Sequence, residues 1–284
     1  MNIVVLCKSW NHKKVVDILQ ALHGQGLRVH GIVALAAPPA RLTFTQVLRK
    51  THEHGFGPLL AHLFTNPVER DEHAHGFIPV HGLHPTVALQ ARNGHSHFAH
   101  HPGPELTIAE YARQHQIEMA CVQDLNSTTC ATTLQNLRTD ILLFGGVPII
   151  RANILAVPKI CTLNVHMGLL PEFRGMNVAE WAIFNGAAVG VTVHQVDAGV
   201  DTGAILYREK IDVADCTTIA AMRAKVSRQQ HLVLAQCTRL LLENKLPLIP
   251  QRKTEGKQYY LMHEKLKKIV ERRLAQGYQG YLER

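Results

Sequence analysis

Apolar positions along the chain alternate between short continuous runs and a helical spacing. The runs at residues 2–7 and 27–36 are rich in β-branched residues, which predicts buried strands. A helix is predicted between them, at about 12–23, because apolar residues recur there on one face: Val15, Val16, Ile18, Leu19 and Leu22. This strand–helix–strand opening is typical of a parallel sheet.

The same alternation resumes after residue 104. Thr107 and Glu110 have the spacing of a capping box, which predicts the start of a helix. A short helix is predicted to open at Pro148. Longer elements follow the same logic, with strands near 117–122, 140–144, 159–166, 190–196 and 204–211 and helices near 127–138, 176–186 and 216–242. The predicted fold class is α/β, a doubly wound and mostly parallel sheet, in which ligands bind outside the carboxyl ends of the strands.

Residues 41–104 interrupt this pattern. They are rich in Pro, Gly and His without a clear period, so we predict an irregular insertion. Pairs such as His73/His75 and His95/His97 could bind zinc or nickel, but no cysteine accompanies them and an irregular loop of biased composition is the favoured interpretation, so we predict no metal site. The predicted organisation is a main α/β domain over 1–211 and a helical, basic extension over 212–284.

Composition excludes several classes of protein. Hydrophobic residues make up 46% of the chain, enough for a sizeable core, yet no apolar run reaches the roughly 20 residues of a membrane span. The apolar stretch at the N-terminus is too short for a secretory signal. The six cysteines are well separated and none forms a CxxC, so we expect a cytoplasmic protein that does not contact a membrane.

The positive charge is concentrated at the end of the sequence. The net charge is +8, and residues 251–284 hold nine basic and four acidic residues. Such a tail suits either an anionic partner such as RNA or a solvated basic helix at the edge of the domain. The second interpretation is favoured on general grounds.

Side chains able to do chemistry are concentrated between residues 163 and 206. Asn164 and His166 end a predicted strand and point to the same face, since side chains alternate along a strand. Asp201 lies in a loop between two later strands. An amide can donate to a developing oxyanion, an imidazole can donate or relay a proton, and a carboxylate can orient the imidazole. Each residue alone is more often structural, so the trio is a hypothesis.

Three other residues are weaker candidates for substrate contacts. The first strand-to-helix turn lacks a glycine-rich phosphate motif, but Ser9 and Asn11 could offer polar groups to an anionic substrate. Helix capping is the favoured alternative for either residue alone. His194 could contact substrate or hold the Asp201 loop, and packing in the core explains it equally well.

The residues around this trio form a longer pattern. The string NVHMGLLPEFRGMNVAEWAIFNG, followed by GVTVHQVDAGVDTGAIL, resembles the 10-formyltetrahydrofolate-dependent formyltransferase family, most clearly over about 106–211. The resemblance implies that Asn164, His166 and Asp201 are catalytic and that Leu170–Pro171 is cis. It also implies a folate pocket built from the backbone of two loops: Val147, Ile149 and Ile150, and Val196, Asp197, Ala198, Gly199 and Val200.

The resemblance implies a formyl transfer from 10-formyltetrahydrofolate to a primary amine. The part of the sequence after Asp201 is short and mostly helical, so we expect a small acceptor such as an amino-sugar nucleotide or a biosynthetic intermediate. Nucleic acid is not expected as a partner, although a tRNA-linked amine stays an alternative, as do hydrolysis of formyltetrahydrofolate and a non-enzymatic anion- or RNA-binding role. A homodimer is left open.

Overall fold

The computed structural model describes residues 1–9, 12–36, 106–252 and 254–280 of the chain. The predicted insertion at 41–104, with its histidine pairs, lies outside the described residues.

The bounds of the strands and helices follow the predicted alternation closely. The strands are β1 (Ile3–Lys8), β2 (Val29–Leu35), β3 (Glu118–Val122), β4 (Ile141–Gly145), β5 (Cys161–His166), β6 (Phe173–Gly175), β7 (Gly190–Gln195), β8 (Ile205–Lys210) and β9 (Lys257–Tyr259). The helices are α1 (His12–Gly24), α2 (Ile108–Gln114), α3 (Thr128–Asn136), α4 (Ala152–Leu155), α5 (Val178–Phe184), α6 (Ile219–Leu242) and α7 (Glu264–Ala275).

Seven strands form one sheet in the order β3-β2-β1-β4-β5-β7-β8. The pairs from β3 to β5 are parallel, whereas β7 is antiparallel to both β5 and β8. The predicted α/β class with a mostly parallel sheet is confirmed. The change of direction at β5 matters for function, because β5 and β7 lie side by side although 23 residues separate the end of one from the start of the other.

Alternating side chains of the sheet bury two separate cores. On one face, residues such as Val5, Leu143 and Val193 pack with helices that include α1 and α6. On the other face, residues such as Leu6 and Leu142 pack with α3 and α4. The central parallel strands β1 and β4 are therefore apolar on both faces, as their continuous apolar sequences predict.

A few local elements can be compared directly with their predictions. The capping box of Thr107 and Glu110 is formed as predicted. The short helix α4 begins at Ala152 rather than near Pro148. The strands β6 and β9, three residues each, form a second, two-stranded sheet and were not predicted, because so short a strand shows no alternation.

The C-terminal helix α7 packs on α5 and α6. Its buried face contains Val270 and Leu274, so the helix is amphipathic. The division at residue 211 stays a prediction; α6, which follows it, packs on β5 and β7. Among the described residues, every helix is too short or too polar to cross a bilayer.

We expect His231 in α6 to make the stability depend on pH. Its ring is buried, and burial together with Lys14 and Lys13 of α1 lowers its pKa to about 4. The unfolded chain therefore binds this proton between about pH 6.5 and 4 while the folded chain does not, so stability is lost as the pH falls through this window. For His231→Leu, the unfolding free energy measured in denaturant should fall less between pH 7 and pH 5, by about 2 kcal/mol. Parallel pH profiles for the two proteins would contradict this assignment.

Candidate active site

Polar side chains replace apolar ones on one face of β5 and β7: Thr162, Asn164, His166, Thr192 and His194. Across the two strands, Asn164 pairs with His194, and His166 pairs with Thr192. The opposite face of the same strands is apolar and joins the core that α6 covers. The two-residue period of the strands therefore gathers these polar groups in one patch of the sheet.

His166 is buried with both ring nitrogens facing protein atoms. Nε2 lies 2.7 Å from the carbonyl oxygen of Phe173, which can only accept, so Nε2 carries a hydrogen. Nδ1 lies 3.4 Å from Oδ2 of Asp201. Burial lowers the pKa of His166, although the charge of Asp201 opposes that shift. The neutral ring therefore directs an unprotonated Nδ1 towards Asp201.

His194 fixes the orientation of the Asn164 carboxamide. Its Nδ1 donates to the carbonyl oxygen of Gln195 at 2.7 Å, so in the neutral ring Nε2 is the acceptor. This Nε2 lies 3.2 Å from Nδ2 of Asn164 and accepts one of its two hydrogens. The second hydrogen of Nδ2 remains for another acceptor.

The carboxylate of Asp201 lies between the two imidazoles. Its Oδ1 is 3.5 Å from Nε2 of His194, and its Oδ2 accepts a hydrogen bond of 2.9 Å from the backbone N–H of Gly175. Burial opposes ionisation, but the two histidines and this N–H outweigh it and lower the pKa of Asp201 to about 2. The group is therefore a carboxylate at neutral pH. The structure thus brings Asn164, His166 and Asp201 together.

The turn after β5 is fastened to β7 by one hydroxyl. Thr192 Oγ1 donates to the carbonyl of Gly168 at 2.7 Å and accepts from the N–H of Leu170 at 3.0 Å. The peptide bond between Leu170 and Pro171 is cis, as the resemblance implied. Thr192 therefore holds the start of the turn beside the polar patch.

Two backbone groups of β6 complete the surroundings of the trio. The carbonyl of Phe173 accepts from His166, and the N–H of Gly175 donates to Asp201. Gly175 has φ of 95°, and a Cβ atom there would overlap the carbonyl oxygen of Tyr259 in β9. Sequence reasoning missed both groups, although the glycine that ends the string LLPEFRG was a signal of a position that only glycine suits.

The first predicted folate loop follows β4. Val147 packs on the second core, Ile150 is buried, and Ile149 is 81% exposed. Asn126 holds this loop, since its Nδ2 donates to the carbonyl of Ile149 and its Oδ1 accepts from the N–H of Arg151. Asn126 was not among the predicted residues, because its partners lie more than twenty residues away in sequence.

The second predicted folate loop follows β7. Val196 packs on the same core as Val147, and its N–H bonds to the carbonyl of Thr162 in β5. Asp197 then organises the tip, where its Oδ1 accepts from the N–H of Gly199 and from the hydroxyl of Thr202. The remaining tip residues, Ala198 and Val200, are exposed. The two loops follow the strands on either side of β5.

Of the three residues predicted to contact substrate, Ser9 is less closely tied to the trio. Ser9 follows β1, two strands from β5, and its N–H donates to the carbonyl of Leu35. Within the described ranges, no hydrogen bond joins Ser9 to the trio. Asn11 lies outside the described residues. His194 is the one of the three whose side chain contacts Asn164 and Asp201.

Groups of three or more His, Cys, Asp or Glu arranged to hold a metal ion are absent from the part of the chain that the structure describes. The histidine pairs at 73/75 and 95/97 lie outside that part.

Comparison with protein-family models finds a match within this chain. Residues 102–238 match the family model described as formyl transferase. This part of the chain is similar to the formyl transferase family. The matched segment contains Asn164, His166 and Asp201 together with β6.

Curated relatives share about half of their length with the chain. A protein named methionyl-tRNA formyltransferase from Acetivibrio thermocellus is 31% identical over 146 residues, which are 51% of this chain and 47% of that protein. The chain therefore spans about half the length of the curated relatives it matches.

Solved structures with the same fold match over most of the chain. Glycinamide ribonucleotide transformylase 1 from Symbiobacterium toebii has a TM-score of 0.54 at 18% identity, covering 93% of this chain and 95% of that one. A sugar N-formyltransferase from Shewanella sp. FDAARGOS_354 has a TM-score of 0.53 at 13% identity, covering 96% and 88%. These likenesses show the fold.

Replacing the glycine of β6 in this formyl transferase segment should disturb both small strands and the site. Gly175→Ala adds a Cβ that overlaps the Tyr259 carbonyl, so β6 and β9 must separate. We expect it to lower the unfolding free energy by at least about 2 kcal/mol more than Gly277→Ala. Gly277 is a matched control, because it also has positive φ but nothing within 4 Å of the added atom. Equal losses in denaturant titrations would show that the contact with Tyr259 is unimportant.

Proposed function

We propose that the protein transfers a formyl group from 10-formyltetrahydrofolate to the primary amine of a small molecule. The observation that carries this proposal is the convergence of Asn164, His166 and Asp201 within the segment that matches the formyl transferase family model. The three residues come from two elements, β5 and the loop after β7, that sheet pairing places side by side.

Asn164 supplies the donor for the oxyanion. Attack of a neutral amine on the formyl carbon places negative charge on the formyl oxygen, and the second hydrogen of Nδ2 can bind it. The first hydrogen is held by His194, so the carboxamide is oriented before the substrate arrives. A well-placed donor of this kind is worth roughly 3 kcal/mol of transition-state stabilisation.

His166 and Asp201 accept the proton that the amine loses. The hydrogen on Nε2 of His166 is already bound to the Phe173 carbonyl, so we assign this ring the role of base at Nδ1 rather than of a second oxyanion donor. Nδ1 and the Asp201 carboxylate are both acceptors and lie 3.4 Å apart. A proton taken up by Nδ1 is stabilised by the adjacent negative charge, and it can then protonate the folate nitrogen that leaves as its bond to the formyl carbon breaks.

The two loops beside β5 fit the pterin of the donor. Each presents an exposed apolar side chain, Ile149 on the first and Val200 on the second, with exposed fractions of 81% and 38%. Flat aromatic ligands bind where apolar side chains and a few backbone polar groups converge. The bonds from Asn126 to the first loop and from Asp197 within the second keep that backbone in place.

The internal packing of the basic C-terminal segment supports a small acceptor. The apolar face of α7 is buried against α5 and α6, and Arg273 in α7 donates to the carbonyls of Ile183 and Phe184. These contacts give the tail an internal structural role. The names of the curated relatives favour a second candidate, the amine of an aminoacyl-tRNA.

All six cysteines are free thiols, which favours a reducing compartment such as the cytoplasm.

Substrate panels can test the proposal directly. The protein is incubated with 10-formyltetrahydrofolate and, in separate reactions, with no amine, with small primary amines that include amino-sugar nucleotides, and with methionyl-tRNA. We expect tetrahydrofolate release only with a small amine, which gains the mass of one CO. Turnover without any amine would instead establish a hydrolase, and formylation of methionyl-tRNA alone would establish the second candidate.

Substitutions of the trio should lower turnover far more than donor binding. For Asn164→Ala, His166→Ala and Asp201→Asn we expect kcat to fall by about 10²–10⁴-fold, because each removes an interaction made in the transition state. The dissociation constant of tetrahydrofolate, measured by calorimetry, should change by less than about threefold. Losses of equal size in both quantities would show that these side chains only shape the pocket.

A further inference from the structure

The segment that follows α6 contacts the Asp201 loop and its surroundings at three places. Ile249 pairs with Ile205, directly after the loop, through two backbone hydrogen bonds of 2.8 and 2.9 Å. Gln251 lies two residues further along. The strand β9 then pairs with β6, whose Gly175 donates its N–H to Asp201. Ile249, Gln251 and β9 therefore contact the Asp201 loop or the strand β6 beside it, although that loop lies about fifty positions before Gln251 in the sequence.

The Gln251 carboxamide joins that loop to β6. Its Nε2 donates to the carbonyl oxygen of Asp201 at 3.2 Å and also to the carbonyl oxygen of Gly203. Its Oε1 accepts from Nη2 of Arg174, at 3.3 Å, and Arg174 is buried and also donates to the carbonyl of Arg252 at 3.0 Å. Both hydrogens and the oxygen of one side chain are thus in use.

The loop needs support from outside because its own backbone is strained. Asp201 has φ of 52°, a left-handed conformation that costs a non-glycine residue about 1–2 kcal/mol. At Gly203, a Cβ atom would overlap the carbonyl oxygen of Gln195, so the chain passes very close to β7. Such a conformation persists only when the surroundings hold it. Two hydrogen bonds from Gln251, one at each of these residues, provide that constraint.

We propose that Gln251 is a positioning residue, which holds the carbonyls of Asp201 and Gly203 so that the Asp201 carboxylate stays between His166 and His194. This inference rests on the proposed function for its effect on turnover. Gln251 does not touch the reacting atoms; it acts through the loop. The tail thus contributes to the site by bracing it, a role separate from binding an anionic partner.

Replacing Gln251 by glutamate tests the role of the two amide hydrogens separately from that of the amide oxygen. Gln251→Glu keeps an oxygen for Arg174 but loses both hydrogens, and it places a negative charge beside two carbonyl oxygens. Gln258→Glu is the matched control, because Gln258 lies in β9 of the same segment and is exposed. It adds the same charge without any contact to the loop.

The first measurement compares kcat with KM. We expect Gln251→Glu to lower kcat by about tenfold while KM for the formyl donor changes by less than about threefold, and Gln258→Glu to stay within about twofold of the wild type in both. A kcat for Gln251→Glu within twofold of the wild type would overturn the proposal. An equal tenfold loss in Gln258→Glu would also overturn it, since added charge alone would then explain the effect.

The second measurement tests whether Gln251 acts through Asp201. Single-turnover rates are compared for Asp201→Asn with and without Gln251→Glu. We expect the second change to lower the rate by less than about twofold in this background, because the carboxylate that it positions is already absent. A full tenfold loss would mean that Gln251 acts by another route, and the proposal would fail.

The third measurement needs no turnover, so it separates this inference from the proposed function. The Cε1 proton of His166 is titrated by NMR in the wild type and in Gln251→Glu. His166 faces Asp201, the His194 ring and the Phe173 carbonyl; of these, the Asp201 charge and the hydrogen bond to Phe173 raise its pKa, and Asp201 has the larger effect. A displaced carboxylate should therefore lower the apparent pKa of His166, and an unchanged pKa would overturn the role of Gln251. Absence of formyl transfer by the wild type would overturn only the proposed function.

A second variant covers the case in which Gln251→Glu does not fold by circular dichroism. Gln251→Asn keeps the carboxamide but shortens its reach by one methylene. We expect kcat to fall and the apparent pKa of His166 to decrease relative to the wild type. No change in either quantity would overturn the proposal.

Discussion

The site depends on keeping one buried carboxylate ionised. Asp201 is largely removed from water, which by itself would favour the protonated acid, yet two imidazoles and one backbone N–H lower its pKa to about 2. An uncompensated charge in such surroundings would be costly, so the groups around it have to be placed accurately. The polar patch on β5 and β7, the turn through β6 and the segment after α6 each supply part of that placement.

The antiparallel pairing of β5 with β7 brings the trio together. In a continued parallel sheet the neighbour of β5 would need a long crossover, and its loop would project from the opposite direction. Here β7 returns beside β5, so that His194 lies opposite Asn164 and the loop that follows carries Asp201 towards His166. The trio therefore lies where the sheet changes from parallel to antiparallel pairing, between β5 and β7.

Much of this could be predicted from local sequence patterns, and the remainder depends on distant contacts. Apolar runs and capping residues predicted the strands of the large sheet and its longer helices, and alternation along β5 placed Asn164 and His166 on one face. The strands β6 and β9 could not be predicted, since each has three residues and is stabilised by the other across about eighty positions. For the same reason Asn126 and Gln251 carried no signal: an amide that bonds to backbone carbonyls far away in sequence looks like any polar loop residue. The folate contacts and the identity of the amine stay predictions.

The contacts that Ile249, Gln251 and β9 make with the Asp201 loop and β6 have a consequence for synthesis of the chain. Ribosomes make proteins from the N-terminus, and all three members of the trio have been polymerised once residue 201 is added. The loop that carries Asp201 and the strand β6 nevertheless contact Ile249, Gln251 and β9, which emerge from the exit tunnel later. A nascent chain therefore carries the three side chains of the trio before Ile249, Gln251 and β9 can pack beside the Asp201 loop and β6.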